Sequence, residues 1–155
     1  MKVQVRNRCS DFTTYRAARV KSLFNAETGA NFDLDADLEI ERDGDWKIGV
    51  VVGPSGSGKT SIGRQFFGHE AFFAPAWPSD LPIIDAIGAE ADFDAVTGAM
   101  ASVGLGDVPA WLRPFHALSM GEQFRATLAR LVVEAPAEAV VDEFTSVVDR
   151  QIARI

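Results

Sequence analysis

An eight-residue stretch, Gly53-Pro-Ser-Gly-Ser-Gly-Lys-Thr60, has the residue types and spacing of a phosphate-binding loop. Its glycines let the backbone turn tightly and bring amide groups against phosphate oxygens. Lys59 has the reach for β- and γ-phosphates, and the Thr60 hydroxyl is a ligand for Mg²⁺. We predict a nucleoside-triphosphate site, the alternative being a Gly/Ser-rich linker that matches by chance. The predicted binding residues are Gly53, Pro54, Ser55, Gly56, Ser57, Gly58, Lys59, Thr60 and Ser61.

The segments on both sides of this loop have the patterns that such a site requires. The apolar run 48–52 predicts a buried strand, and residues 60–67 predict a helix whose N-terminal amides and dipole favour an anion. Acidic and apolar residues alternate over 32–41, which predicts a strand that folds back antiparallel on 46–52 through an Asp43-Gly44 turn. Residues 7–31 show no strong period, and we expect mixed strand and loop there.

The second half of the sequence has further helix and strand signals. Residues 71–74 and 139–141 predict short buried strands, and 92–103 predicts a helix with Asp92 as its cap. The clearest helix signal runs from about residue 118 to Glu134, with an apolar stripe of Phe124, Leu128, Leu131 and Val132. Ser119 and Glu122 have the spacing of a capping box, which by itself explains both residues structurally. Thr145 and Ser146 predict the cap of a last helix.

Two adjacent acids, Asp142 and Glu143, follow the predicted strand 139–141. A carboxylate at the carboxyl edge of a strand beside a phosphate loop is placed to hold a Mg²⁺-bound water, the role we predict for Asp142. Glu143 is then the candidate general base for the attacking water. Lys59 and Glu143 are the predicted catalytic residues, and Thr60 and Asp142 are the predicted metal ligands. The structural alternative is an acid pair at a helix N-terminus.

The composition limits the class of protein. The net charge of −7 is unevenly distributed along the sequence, because residues 1–24 form a basic segment with a net charge of +5. An acidic remainder argues against broad nucleic-acid coating, and the basic segment is either a solvated edge or a local anionic contact. The sequence has no apolar run of membrane-spanning length, and its one cysteine, Cys9, fits a reducing cytoplasm. His69 and His116 stand alone and are not expected to bind metal.

Three motifs in one order resemble the ABC-type ATPase family over about residues 46–150. They are the phosphate loop, the segment Leu118-Ser-Met-Gly-Glu followed by an Arg-containing helix, and the run from Val140-Val-Asp-Glu to Asp149. The resemblance implies an α/β P-loop NTPase fold of ABC type, with a mixed sheet, an antiparallel N-terminal hairpin and a shortened helical subdomain. It also implies ATP and Mg²⁺ as ligands, and one nucleotide-binding domain spanning residues 1–155.

In this family two domains dimerise head to tail around two nucleotides. The resemblance therefore implies a homodimer in which Ser119 and Gly121 offer a hydroxyl and a backbone N–H to the partner's γ-phosphate. Asp149 matches the aspartate that acts across the dimer. The base-stacking aromatic has three candidates, Tyr15, Phe24 and Phe32.

The sequence also departs from the family pattern. Met120 and Glu122 replace the usual Gly and Gln of the signature, and Phe144 replaces a proline. The segment 61–118 is short, and no glutamine occupies the loop directly after Phe73, so a soluble, non-transporter type is expected. The chain stops after the aspartate loop, before the expected switch histidine, which suggests a truncated domain.

Three functions compete on this basis. The leading hypothesis is a Mg²⁺-dependent ATPase that dimerises around ATP. The second is a nucleotide-gated binding module with little or no hydrolysis, suggested by the missing histidine and glutamine. The third is a small-molecule kinase, which would leave the signature helix unexplained.

Overall fold

A computed structural model of the protein describes residues 2–7, 10–26, 32–37 and 44–144. The chain divides into two compact units, Met1–His69 and Glu70–Ile155. The first contains β1 (Lys2–Asn7), α1 (Tyr15–Phe24), β2 (Phe32–Asp37) and α2 (Lys59–Phe67). The second contains α3 (Ile83–Ala86), α4 (Phe93–Ser102), α5 (Val108–Trp111), a 3₁₀ turn (Phe115–Ala117) and α6 (Met120–Glu134). In these described ranges no helix is both long and apolar enough to cross a bilayer.

The sheet of the first unit is an antiparallel pair, β1 and β2. Its register sets Lys2 opposite Asp37 and Arg6 opposite Asp33. Residues of opposite charge at directly opposed positions favour such a pairing. The alternating segment 32–41 thus contains a strand, as predicted, but that strand pairs with β1.

The predicted α/β fold with a mixed sheet and an antiparallel N-terminal hairpin is wrong. Residues 46–52 form no strand, and the Ile48 and Val52 side chains are 86% and 85% exposed. Across the described residues, β structure is limited to β1–β2 and one parallel bridge between Phe72 and Val140, so their regular secondary structure is mainly helical. The apolar residues of 48–52 suit a strand, but a strand forms only where a neighbour pairs with its backbone.

A helix that the sequence pattern did not reveal, α1, occupies residues 15–24. The Thr14 hydroxyl accepts a hydrogen bond from the Ala17 N–H at 3.3 Å, and Asn25 ends the helix in the left-handed region at φ 50°. No residue of α1 is buried. Its apolar residues Val20, Leu23 and Phe24 lie at helical spacing but are 52%, 68% and 77% exposed, so a core contact does not account for this helix.

The core of the second unit lies around α4 and α6, both of which the sequence predicted. On α6 the buried residues are Ala126 and Ala129, whereas Val132 of the predicted stripe is 57% exposed. Small side chains let two helices pack closely, so the contact uses the alanine face and leaves the larger residues at its edge. The buried apolar residues of this core are Ile83, Ile87, Val96, Ala99, Met100, Leu105, Ala110, Leu118, Ala126 and Ala129.

The N-terminus of α6 is closed by the predicted capping box. One Glu122 carboxylate oxygen accepts hydrogen bonds from the Ser119 hydroxyl at 2.7 Å and from the Ser119 N–H at 2.8 Å. These two bonds, helped by the nearby guanidinium groups of Arg113 and Arg125, lower the pKa of Glu122 below its ordinary value of 4.5. The charged form of Glu122 is therefore part of the folded structure.

Met100→Ala should destabilise the protein by about 3 kcal/mol, because it leaves a cavity in a core where Met100 is fully buried. The matched control is Met120→Ala on α6, where the side chain is 72% exposed and the free energy of unfolding should change by less than about 0.5 kcal/mol. Urea unfolding of the full chain measures both, and equal effects would contradict the assigned core.

The capping box predicts an acid-sensitive contribution to stability. A carboxyl whose pKa is lower in the folded state stabilises the fold above its unfolded pKa, and this contribution is lost as the pH falls through the folded pKa. Below pH 4.5 the free energy of unfolding of the wild type should therefore fall more steeply than that of Glu122→Gln. Glu90→Gln, a change in an exposed turn of the same unit, should keep the wild-type slope.

Candidate functional site

The predicted phosphate loop is a tight turn that leads directly into α2. The Ser57 N–H donates to the Pro54 carbonyl at 3.3 Å, and Gly56 and Gly58 have φ angles of 77° and 83°. A Cβ atom on Gly53 would lie 2.9 Å from the Ser57 hydroxyl oxygen. The loop thus needs glycine for conformation at positions 56 and 58, and a side chain at position 53 would make the Ser57 hydroxyl move.

Lys59, the first residue of α2, folds back over this loop. Its Nζ donates to the carbonyl oxygens of Gly53 at 3.0 Å and Pro54 at 2.8 Å. Thr60 and Ser61 follow in the first turn of the helix and are half-buried. An ammonium group, a hydroxyl-bearing turn and the positive end of a helix dipole are therefore next to one another, the chemistry of an anion site.

Aromatic contacts join the segment before the loop to the helix after it. The Trp46 and Phe67 rings meet edge to face, with centroids 6.4 Å apart, and Phe66 and Phe67 do so at 4.8 Å. Ile62 and Phe66 are buried. Because these contacts fix both ends of the loop, its shape does not depend on its own few hydrogen bonds alone.

The predicted acid pair lies in the second unit, at the end of a short parallel contact. The Phe73 N–H donates to the Val140 carbonyl at 3.0 Å, and the Val140 N–H donates to the Ala71 carbonyl at 2.6 Å. This is a single bridge, whereas the sequence predicted two buried strands. Asp142 and Glu143 follow directly and are exposed.

The turn that carries the acid pair has an uncommon backbone. Glu143 has a φ of 52°, and its N–H donates to the Asp142 carboxylate at 3.0 Å. The next side chain, Phe144, meets Phe124 of α6 edge to face, with centroids 5.6 Å apart. Sequence reasoning missed this contact, although it singled out Phe144 as a departure from the family pattern.

The predicted residues are therefore divided between the units. Those of the loop belong to the first unit, whereas Ser119, Gly121, Asp142 and Glu143 belong to the second. Within the second unit, the Phe124–Phe144 contact joins the acid pair to the helix that begins beside Ser119. Cys9 and Asp149 and the predicted cap at Thr145 and Ser146 lie outside the described residues.

The predicted metal ligands, one in each unit, are atoms of a kind that suits a magnesium nucleotide. No group of three or more metal-binding side chains occurs in the described part of the chain. Mg²⁺ does not require one, because it is usually held by one or two protein oxygens together with substrate phosphates and water. The Thr60 hydroxyl and the Asp142 carboxylate are hard oxygen donors of this kind.

Comparison with known proteins gives one line of support. No family model and no solved structure matches the chain. The Cytochrome c biogenesis ATP-binding export protein CcmA of Pseudomonas savastanoi pv. phaseolicola (strain 1448A / Race 6) is 32% identical over 137 residues, with 65% of this chain covered. The chain spans 62% of that relative's length. This distant, partial similarity is to an ATP-binding protein.

Proposed function

We propose that the protein binds ATP with Mg²⁺ at residues 53–61 and hydrolyses it to ADP and phosphate. The observation that supports this most directly is the closed glycine loop at the start of α2, with the Lys59 ammonium held by two loop carbonyls. This arrangement keeps a positive charge next to the amides at the start of a helix. The order of the three sequence motifs and the similarity to an ATP-binding protein agree with it.

Each of the predicted residues would have a separate role in the reaction. Lys59 exchanges a carbonyl contact for a phosphate oxygen and stabilises the charge that develops on transfer. Thr60 and Asp142 would each offer an oxygen to Mg²⁺, which would neutralise phosphate charge. Glu143 takes the proton from water as the water oxygen bonds to the γ-phosphorus, and ADP leaves with the bridging oxygen.

The proposal includes a homodimer around the nucleotides. α6 is long, its N-terminus is capped by Ser119, and Gly121 lies in its first turn. Such an end attracts anions through its dipole. The Ser119 hydroxyl would exchange its hydrogen bond to the Glu122 carboxylate for one to the γ-phosphate bound by a second copy. The free energy of ATP binding would then stabilise the dimer, and hydrolysis would release it.

Lys59→Ala should weaken ATP binding about 10- to 100-fold, because it removes a charge-assisted contact to phosphate worth about 1.5–3 kcal/mol. Isothermal titration of the full chain with ATP and Mg²⁺ measures the loss. Lys47→Ala removes an exposed lysine from the same unit and should bind ATP as the wild type does. Equal affinity of both variants would exclude the loop as the site.

Glu143→Gln should bind ATP normally and lose about 10²- to 10⁴-fold in kcat, the usual contribution of a general base. Phosphate release under single-turnover conditions measures the step, with Glu90→Gln as a control for the loss of one acid. Tight ATP binding with no wild-type turnover would instead support the second candidate, a nucleotide-gated binding module. Unchanged turnover in Glu143→Gln would remove Glu143 from the mechanism.

A further inference from the structure

The turn after the acid pair is packed against α6 by one aromatic contact. Phe144 is 50% exposed, so part of its ring is in contact with the protein, and its described ring partner is Phe124. Phe124 lies near the start of α6, little more than a turn beyond Ser119. We propose that Phe144 is a positioning residue, which holds Glu143 in place for hydrolysis through its contact with Phe124. This inference rests on the proposed function.

The conformation of Glu143 needs such support. A residue other than glycine at a φ of 52° is in the left-handed region, which costs free energy and persists only where neighbouring contacts favour it. Two contacts hold the turn, one on each side of Glu143. The Asp142 carboxylate accepts the Glu143 N–H, and the Phe144 ring packs on Phe124.

The residue type at position 144 matters for the same reason. A proline there would drive the preceding residue towards extended conformations, away from the one that Glu143 adopts. A phenylalanine leaves the backbone of Glu143 unrestricted and supplies a ring for α6 to bind. Edge-to-face packing of two aromatic rings stabilises a contact beyond what the burial of apolar area contributes. Phe144 therefore permits the turn and also holds it.

Through this contact, the position of α6 affects the position of Glu143, the proposed general base. α6 begins at the residues proposed to meet the partner's nucleotide, and Phe124 is on its first half. A shift of α6 would move Phe124, and the turn would follow because its ring partner directly adjoins Glu143. The acid pair is thus connected to the dimer-facing end of the same unit through one side-chain pair.

The test is a double-mutant cycle on ATP hydrolysis by the full chain. Phe144→Leu and Phe124→Leu should each lower kcat about fivefold, the rate equivalent of one aromatic pair, with KM for ATP unchanged because the loop is untouched. The double variant should be no slower than either single variant. Phe144→Tyr keeps the ring and should restore kcat. Phe93→Leu, an exposed phenylalanine of α4, is the matched control and should have wild-type kcat.

The outcomes separate this inference from the proposed function. Additive losses in the double variant, or changes confined to KM, would overturn the positioning role while leaving the ATPase intact. If the double variant does not fold, Phe144→Tyr decides, because a kcat equal to that of Phe144→Leu would also overturn the role. If the wild type does not hydrolyse ATP, the proposed hydrolysis is wrong, and this inference is wrong with it.

Discussion

The burial of an alanine face of α6 against α4 is the interaction on which the second unit depends. With Ala126 and Ala129 fully inside, the larger side chains of α6 lie at the edges of the contact. Phe124 is then available to the turn after the acid pair, and Arg130 is free to bind the Ala76 carbonyl at 2.7 Å. Ser119 remains at the end of the helix, where its capping box forms. The packing of Ala126 and Ala129 against α4 thus determines where the other residues of α6, such as Phe124 and Arg130, are placed.

A second fixed contact lies beside this core. Gly88 has a φ of 53°, and a Cβ atom there would lie 2.4 Å from a methyl group of Val133. The backbone between α3 and α4 therefore passes directly over the last turns of α6. A side chain at position 88 would push these two elements apart, so this glycine is required for space and for conformation together.

The helices were predictable from sequence to the extent that their signals are local. Capping residues and C-terminal glycine located α2, α4 and α6, because helix hydrogen bonds join residues close in the chain. The strand predicted at 48–52 was wrong. β-branched residues favour a strand, but they do not supply the neighbouring strand with which its backbone must pair. α1 was missed although its Thr14 cap is a local signal, and its apolar residues, which lie at helical spacing, are exposed in the structure.

The same distinction holds for the candidate site. The phosphate loop is contiguous, so its glycines, Lys59 and Thr60 were predictable from spacing alone. The contact between Phe124 and Phe144 joins two separate segments and depends on the left-handed turn at Glu143. No periodicity encodes such a turn in a residue other than glycine. The sequence therefore indicated the chemistry, whereas the support for the acid pair required the structure.

The three tryptophans divide between the units in a way that gives each unit its own optical signal. Trp46 of the first unit is 42% exposed, and its ring meets that of Phe67 edge to face. In the second unit, Trp77 is stacked on Phe115 at 4.3 Å with the Arg130 guanidinium over its other side. Trp111, also in the second unit, donates its indole N–H to the Leu105 carbonyl at 2.7 Å. Because an indole stacked beside a guanidinium and a partly solvated indole differ in quantum yield and emission maximum, the fluorescence of Trp46 reports on the phosphate-loop unit and that of Trp77 on the helical unit.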